Sequence, residues 1–130
     1  MIIDTDVLIW SMRGNKKAAI AISENSPFSI TWITYMELLK GARNKSELKE
    51  IIEEIKRKEI KVLHASAEQS ALAISILRDY HHSNSLDIAD AINSAVALGI
   101  GEELMSSNAR HYSAIKGLKF VEFHPYEAAD

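Results

Sequence analysis

An apolar run, Met1-Ile2-Ile3, stops at a carboxylate, Asp4, and apolar residues resume at Val7-Leu8-Ile9 after a second carboxylate, Asp6. A short apolar run reads as a buried strand, which carries Asp4 to its carboxyl end. In open α/β sheets that end is where ligands bind. Two acids one residue apart repel each other unless something positive sits between them. A divalent cation such as Mg²⁺ or Mn²⁺ suits hard carboxylate oxygens. The structural alternative is a turn in which Asp6 caps the following helix. This segment alone leaves both open.

The rest of the chain alternates in the same way. Strands are expected over 1–4, 28–31, 60–63, 104–106 and 119–123. Helices are expected over 6–12, 16–23, 34–40, 46–58, 66–81, 87–98 and 109–115. Gly41 should sit just beyond the 34–40 helix as its stop. The 46–58 helix opens with Ser46. The 66–81 helix should bury a stripe of Ala67, Ala71, Ile74 and Leu77, with Ser83-Asn84-Ser85 breaking it. Strands alternating with helices imply an α/β fold whose central parallel sheet, of about four to five strands, is flanked by helices on both faces.

Composition narrows the class. A chain of 130 residues with 47% apolar content is expected to form one domain, 1–130, with a real core. There is no cysteine, which excludes a disulfide framework, a thiolate metal site and a cysteine nucleophile. A net charge of −3 argues against holding nucleic acid by bulk charge alone. No apolar run approaches the ~18 residues of a membrane span, and no signal-peptide pattern opens the chain. A cytoplasmic protein is expected.

Two further acids stand out. Asp87 and Asp90 are three apart, so they share a face in the first turn of the 87–98 helix. Asp87 has a structural reading as the N-cap. Asp90 is harder to explain that way, because Ala91, Ile92, Ala95, Val96, Ala97 and Leu98 make this helix apolar nearly all round. A carboxylate buried there is costly unless paired or ligating a metal. Glu37 lies among Ile33, Met36, Leu38 and Leu39; alone it reads as an ordinary helix glutamate.

Taken together, four blocks resemble the PIN-domain family, and specifically its VapC-type toxins. MIIDTDVLIW resembles the family's hydrophobic-strand-Asp-Thr motif. ITYMELLKG resembles its glutamate-bearing helix. DIADAINSAVALGI resembles its Asp-Ala helix, with the matching acid at Asp90. LMSSNARHYSAIKGLKFV resembles its closing strand, loop and helix. The resemblance implies a metal-dependent endoribonuclease, the toxin of a type II toxin–antitoxin pair, with a cognate antitoxin that blocks its site. It implies Asp4, Glu37 and Asp90 as the catalytic and Mg²⁺- or Mn²⁺-binding core. Asn108 stands where many members carry a fourth acid, and it brings an amide oxygen without the charge. Asp6, Asp87 and Ser107 are accessory positions. A homodimer is expected.

Phosphodiester hydrolysis needs an activated water, help for the leaving oxygen and a counter to phosphate charge, and bound metal can supply all three. RNA would then be attracted by local basic groups, with Arg43, Lys45 and Arg110 ranked above Lys56, Arg57 and Lys58. The competing reading is a solvated, salt-bridged face, since glutamates are interleaved at helical spacing. His81-His82 reads as a solvated pair, and His111 as a lesser candidate for touching substrate. Asp4-Thr5-Asp6 also fits a haloacid-dehalogenase-type phosphatase, but the late lysine and acid pair are missing. A phosphate-accepting receiver domain would need an aspartate where His64 stands and a lysine where Ser106-Ser107 stand. A PIN-like module that binds RNA or a partner without cutting is the remaining alternative.

Overall fold

Neighbouring side chains of a strand point to opposite faces, and both residues of β1 (Ile2–Ile3) are apolar. Such a strand needs cover on both sides, as the middle of a helix-covered parallel sheet provides. The structure is a computed structural model, described over residues 1–126. It places β1 at the centre of a five-stranded sheet of order β3-β2-β1-β4-β5. The other strands are β2 (Ser29–Thr31), β3 (Lys61–Leu63), β4 (Leu104–Ser106) and β5 (Phe120–Glu122). Every pairing is parallel, with Ile2 opposite both Ser29 and Leu104.

The alternation sorts two cores. Ile3, Ile30 and Met105 pack with Val7 and Leu8 of α1 (Thr5–Met12), Ala18 and Ile22 of α2 (Lys16–Glu24), Leu38 of α3 (Trp32–Lys40) and Ile51 of α4 (Lys45–Arg57). On the other face, Ile2 and Leu104 pack with Ala73 and Ile76 of α5 (Ala67–Asn84), the small residues Ala91, Ala95 and Ala97 of α6 (Ile88–Ile100) and Tyr112 of α7 (Ala109–Tyr112). Ile2, Ile3 and Leu104 are fully enclosed, and each contributes about 1.5–3 kcal/mol through burial. The chain winds from β1 to β2 and β3 on one side, then crosses to β4 and β5 on the other. That reversal makes the gap between β1 and β4 the switch point of the sheet, where α/β folds open a crevice. Asp4 follows one of these strands and Ser106 ends the other.

Several local expectations change. α3 starts at Trp32, because the Thr31 side chain accepts from the Thr34 N–H and caps it earlier. α4 is capped by Asn44, ahead of Ser46. Gly41 is itself the C-cap, at φ −75°, so no left-handed residue is needed there. α5 continues through Ser83 and Asn84 and ends where Ser85 takes the left-handed conformation. The stripe assigned to α5 is rotated. Ala67 and Ala71 are exposed and Ile74 is 70% exposed, whereas Ala73 and Ile76 are buried beside Leu72, Leu77 and Tyr80. Alanines bury little area, so the face with the bulkier Leu72, Ile76 and Tyr80 turns inward.

Candidate functional site

Asp4 is the N-cap of α1, so its first oxygen, Oδ1, accepts the Thr5 N–H at 2.8 Å. Capping therefore falls to Asp4 and not to Asp6. The same Oδ1 accepts from Asn93 Nδ2 at 3.1 Å, while Oδ2 accepts from Ser106 Oγ and Tyr112 Oη, each at 2.9 Å. These four donors match the roughly four lone-pair sites of a carboxylate. All are uncharged. With Asp4 only 6% exposed, neutral donors cannot offset the loss of water around a charge. Burial, reinforced by the nearby Asp6 charge, pushes the Asp4 carboxyl from 3.8 up to about 7.

Asp90 reaches the same place from α6. Asp87 caps that helix, accepting the Asp90 N–H at 3.0 Å, and Asp90 Oδ2 accepts the Asp87 N–H at 3.1 Å in return. Its other oxygen, Oδ1, stands 2.9 Å from the same Tyr112 Oη, whose single proton serves one of the two acids at a time. Burial again holds the carboxyl above its ordinary range, with the Asp87 charge adding to the push. His111 Nδ1 lies 3.0 Å from Asp90 Oδ2, yet it is buried and not aligned to hydrogen-bond it.

The surrounding polar groups fix these carboxylates. The Thr31 hydroxyl donates to Asn93 Oδ1, which leaves the Asn93 amide facing Asp4. Ser106 Oγ stands 3.3 Å from Asp6 Oδ1, and Asp6 Oδ2 accepts both the Ser107 N–H, at 2.8 Å, and the Ser107 hydroxyl. Glu37 is one step removed. Its Oε1 accepts from Thr5 Oγ1 at 2.7 Å, which links it to the residue beside Asp4 and not to Asp4 itself. Among the described residues no three His, Asp or Glu side chains stand close enough together to hold an ion.

The structure thus gathers Asp4, Asp6, Asp87, Asp90 and Ser107 into one network, with Glu37 at its margin. Asn108 joins through its backbone, whose N–H donates to Ser106 Oγ at 3.1 Å; its side chain makes no hydrogen bond there. Arg43 pairs with Glu47 at 2.7 Å. Lys45 is exposed at the start of α4, and Arg110 is exposed with its Nη2 3.4 Å from Ser85 Oγ. Sequence reasoning missed Tyr112, Asn93, Ser106 and Thr31. Asn93 carries a usable signal, being three residues after Asp90 in a helix that is mostly apolar. Tyr112 carries none.

The model of the PIN domain family matches residues 1–117. The chain belongs to the PIN domain family. Solved structures share the PIN fold along almost the whole chain. A toxin–antitoxin complex from Klebsiella pneumoniae is similar at TM-score 0.80 and 24% identity, covering 98% of each chain. The DNA-bound VapBC of Salmonella typhimurium follows at 0.75 and 18%, covering 93% of this chain and 96% of the other. VapBC-1 of nontypeable Haemophilus influenzae gives 0.75 and 21%, over the same shares. No curated protein matches the sequence. Membership of the PIN family decides against the phosphatase and receiver folds.

Proposed function

We propose that this PIN domain is a metal-dependent endoribonuclease that hydrolyses RNA phosphodiester bonds, acting as the toxin of a type II toxin–antitoxin pair. One observation carries the reading: two buried carboxylates, Asp4 and Asp90, converge on a single Tyr112 hydroxyl with no lysine or arginine among their donors. Among the described residues the one imidazole beside them, His111 Nδ1 at 3.0 Å from Asp90 Oδ2, makes no hydrogen bond and does not reach Asp4. Buried charge so weakly compensated is unfavourable, and the carboxylate oxygens at a sheet switch point suit a hard divalent ion. Asp4 and Asp90 would hold Mg²⁺ or Mn²⁺, with Glu37 completing the set by releasing Thr5. Such an ion, when bound, supplies an activated water and neutralises phosphate charge.

The chain's own residues do the rest. Asn93, fixed by Thr31, and Ser106 orient Asp4. Asp87 orients Asp90. Asp6, Ser107 and Asn108 line the adjoining loop. Lys45, Arg110 and, once freed from Glu47, Arg43 attract the phosphate backbone. The fold likeness to toxin–antitoxin complexes supports a small antitoxin protein as partner; a homodimer as the active assembly and the cytoplasm as the place of action are further parts of the proposal.

A second reading, a PIN module that binds RNA without cutting it, is favoured by the displacement of Glu37 onto Thr5. Incubating the protein with a mixed-sequence single-stranded RNA, with Mg²⁺, Mn²⁺ or EDTA, separates the two. The nuclease gives metal-dependent fragments; RNA retained intact in a complex supports the binding module.

A further inference from the structure

Tyr112 is fully buried and stacked on Phe120 at 5.5 Å between ring centroids, so the ring has a fixed place. Its hydroxyl has one proton and two carboxylate neighbours, Asp4 Oδ2 and Asp90 Oδ1, both at 2.9 Å. A phenol can donate to only one of them at a time. Its oxygen therefore stands between two acids whose mutual approach would otherwise be uncompensated. Of the other donors to Asp4, the Ser106 hydroxyl is shared with Asp6 and does not reach Asp90, and two are less free to leave. The Thr5 N–H belongs to the backbone of α1, and Asn93 is held by Thr31.

We infer that the Tyr112 hydroxyl is the metal-free substitute for the cation: it bridges Asp4 and Asp90 when no ion is present and competes with the ion for the same carboxylate lone pairs. Tyr112 is thus a positioning residue that sets the affinity of the centre. This inference rests on the proposal that Asp4 and Asp90 bind a divalent ion. In the metal-free protein the bridge lowers the cost of placing two acids together. At Asp4 four donors already occupy the carboxylate, so a bound ion would take a place now held by one of them, and the Tyr112 contact is the one shared with Asp90. Removing the hydroxyl raises the energy of the metal-free state more than that of the bound state, so affinity increases.

The experiment is calorimetric titration of Mn²⁺ into the native protein, Tyr112→Phe and Tyr80→Phe, with melting curves of each in EDTA and in Mn²⁺. Phenylalanine keeps the ring and its stacking on Phe120. Tyr80→Phe removes a hydroxyl that, among the described residues, accepts from the Lys116 N–H and is not bonded to Asp4 or Asp90, and so serves as the control. Tyr112→Phe is expected to melt lower in EDTA, to gain more from Mn²⁺ than the native protein does, and to bind Mn²⁺ at least about fivefold tighter, as loss of a hydrogen bond to charged groups implies. Tyr80→Phe is expected to leave affinity unchanged. Native binding with equal or weaker binding by Tyr112→Phe overturns the competition and leaves the metal centre standing. No Mn²⁺ binding by the native protein overturns the metal centre and the inference with it. Should Tyr112→Phe fail to fold, the tyrosine ultraviolet difference spectrum on Mn²⁺ addition replaces it: a shift of equal size in the native protein and in Tyr80→Phe supports loss of a Tyr112 hydroxyl contact, and no shift on Mn²⁺ binding overturns the inference.

Discussion

The Thr31 hydroxyl donates to Asn93 Oδ1, and that bond decides which way the Asn93 amide faces. With the oxygen committed to Thr31, the amide nitrogen donates to Asp4 at 3.1 Å. A residue at the end of β2 thereby sets the surroundings of an acid at the end of β1, through a helix in the second half of the chain. Thr31→Val keeps the shape and removes the donor. It leaves a buried carbonyl oxygen unpaired, at about 1–3 kcal/mol, and removes the α3 cap, at about 1 kcal/mol. Denaturant unfolding should show the sum, roughly 2–4 kcal/mol. A loss under about 0.5 kcal/mol, the range of ordinary surface changes, would mean that the bond does not fix the site.

Asp4 makes the metal-free protein sensitive to pH. Its folded pKa of about 7 lies above the 3.8 of an ordinary aspartate. The folded state therefore holds a proton that the unfolded state has already released. Stability on this account is fully present below about pH 3.8 and declines as pH rises through 7. Each pKa unit is worth about 1.4 kcal/mol, so the decline is of a few kcal/mol. The raised Asp90 carboxyl acts in the same direction. Melting temperature in EDTA should fall between pH 5 and 7.5, by roughly 4–8 °C per kcal/mol for small domains and somewhat less at this size. Asp4→Asn should flatten that fall; an equally steep profile in the variant would assign the pH dependence elsewhere.

RNA attraction should depend unequally on the three basic candidates. Arg43 is engaged by Glu47, whereas among the described residues Lys45 makes no ion pair and Arg110 touches only the Ser85 hydroxyl. Each basic group on a single-stranded phosphate adds roughly 0.7 to the slope of log affinity against log salt. Lys45→Ala with Arg110→Ala should flatten the slope by roughly 1.4, and Arg43→Ala by less than either. Titration of an uncleavable single-stranded RNA at several salt concentrations reads this directly. A larger loss from Arg43→Ala would show that Glu47 releases it on binding.

Much of the fold is legible in the sequence for identifiable reasons. Short β-branched runs bounded by polar residues mark the strands, and alternation with helical segments requires a parallel sheet. Asp4 and Asp90 are visible because each interrupts an apolar element where local structure asks for no charge. What is less legible depends on distance along the chain. Ser106 and Tyr112 become Asp4 partners only once β4 lies beside β1 and α7 folds back over α6. The capping role passes from Asp6 to Asp4 because the helix begins at Thr5, two residues before an Asp6 cap would start it. The α5 face is misread because Ala67 and Ala71 bury little area; packing follows Leu72, Ile76 and Tyr80, and Ile74 is left exposed. Glu37 is visible as an unexplained acid, yet its bond to Thr5 depends on how α3 rests on α1.

The most direct measurement compares RNA cleavage by the native protein and by Asp90→Asn, with Mg²⁺ and with EDTA. Asparagine keeps an oxygen for the Asp87 N–H but removes the charge that a cation needs. The native protein is expected to cut RNA only when divalent metal is present. Asp90→Asn should be inactive in either condition, yet at least as stable as the native protein in EDTA, because a buried like-charge conflict has been removed. Full cleavage by a folded Asp90→Asn protein, or native cleavage that persists in EDTA, would contradict the metal-dependent ribonuclease.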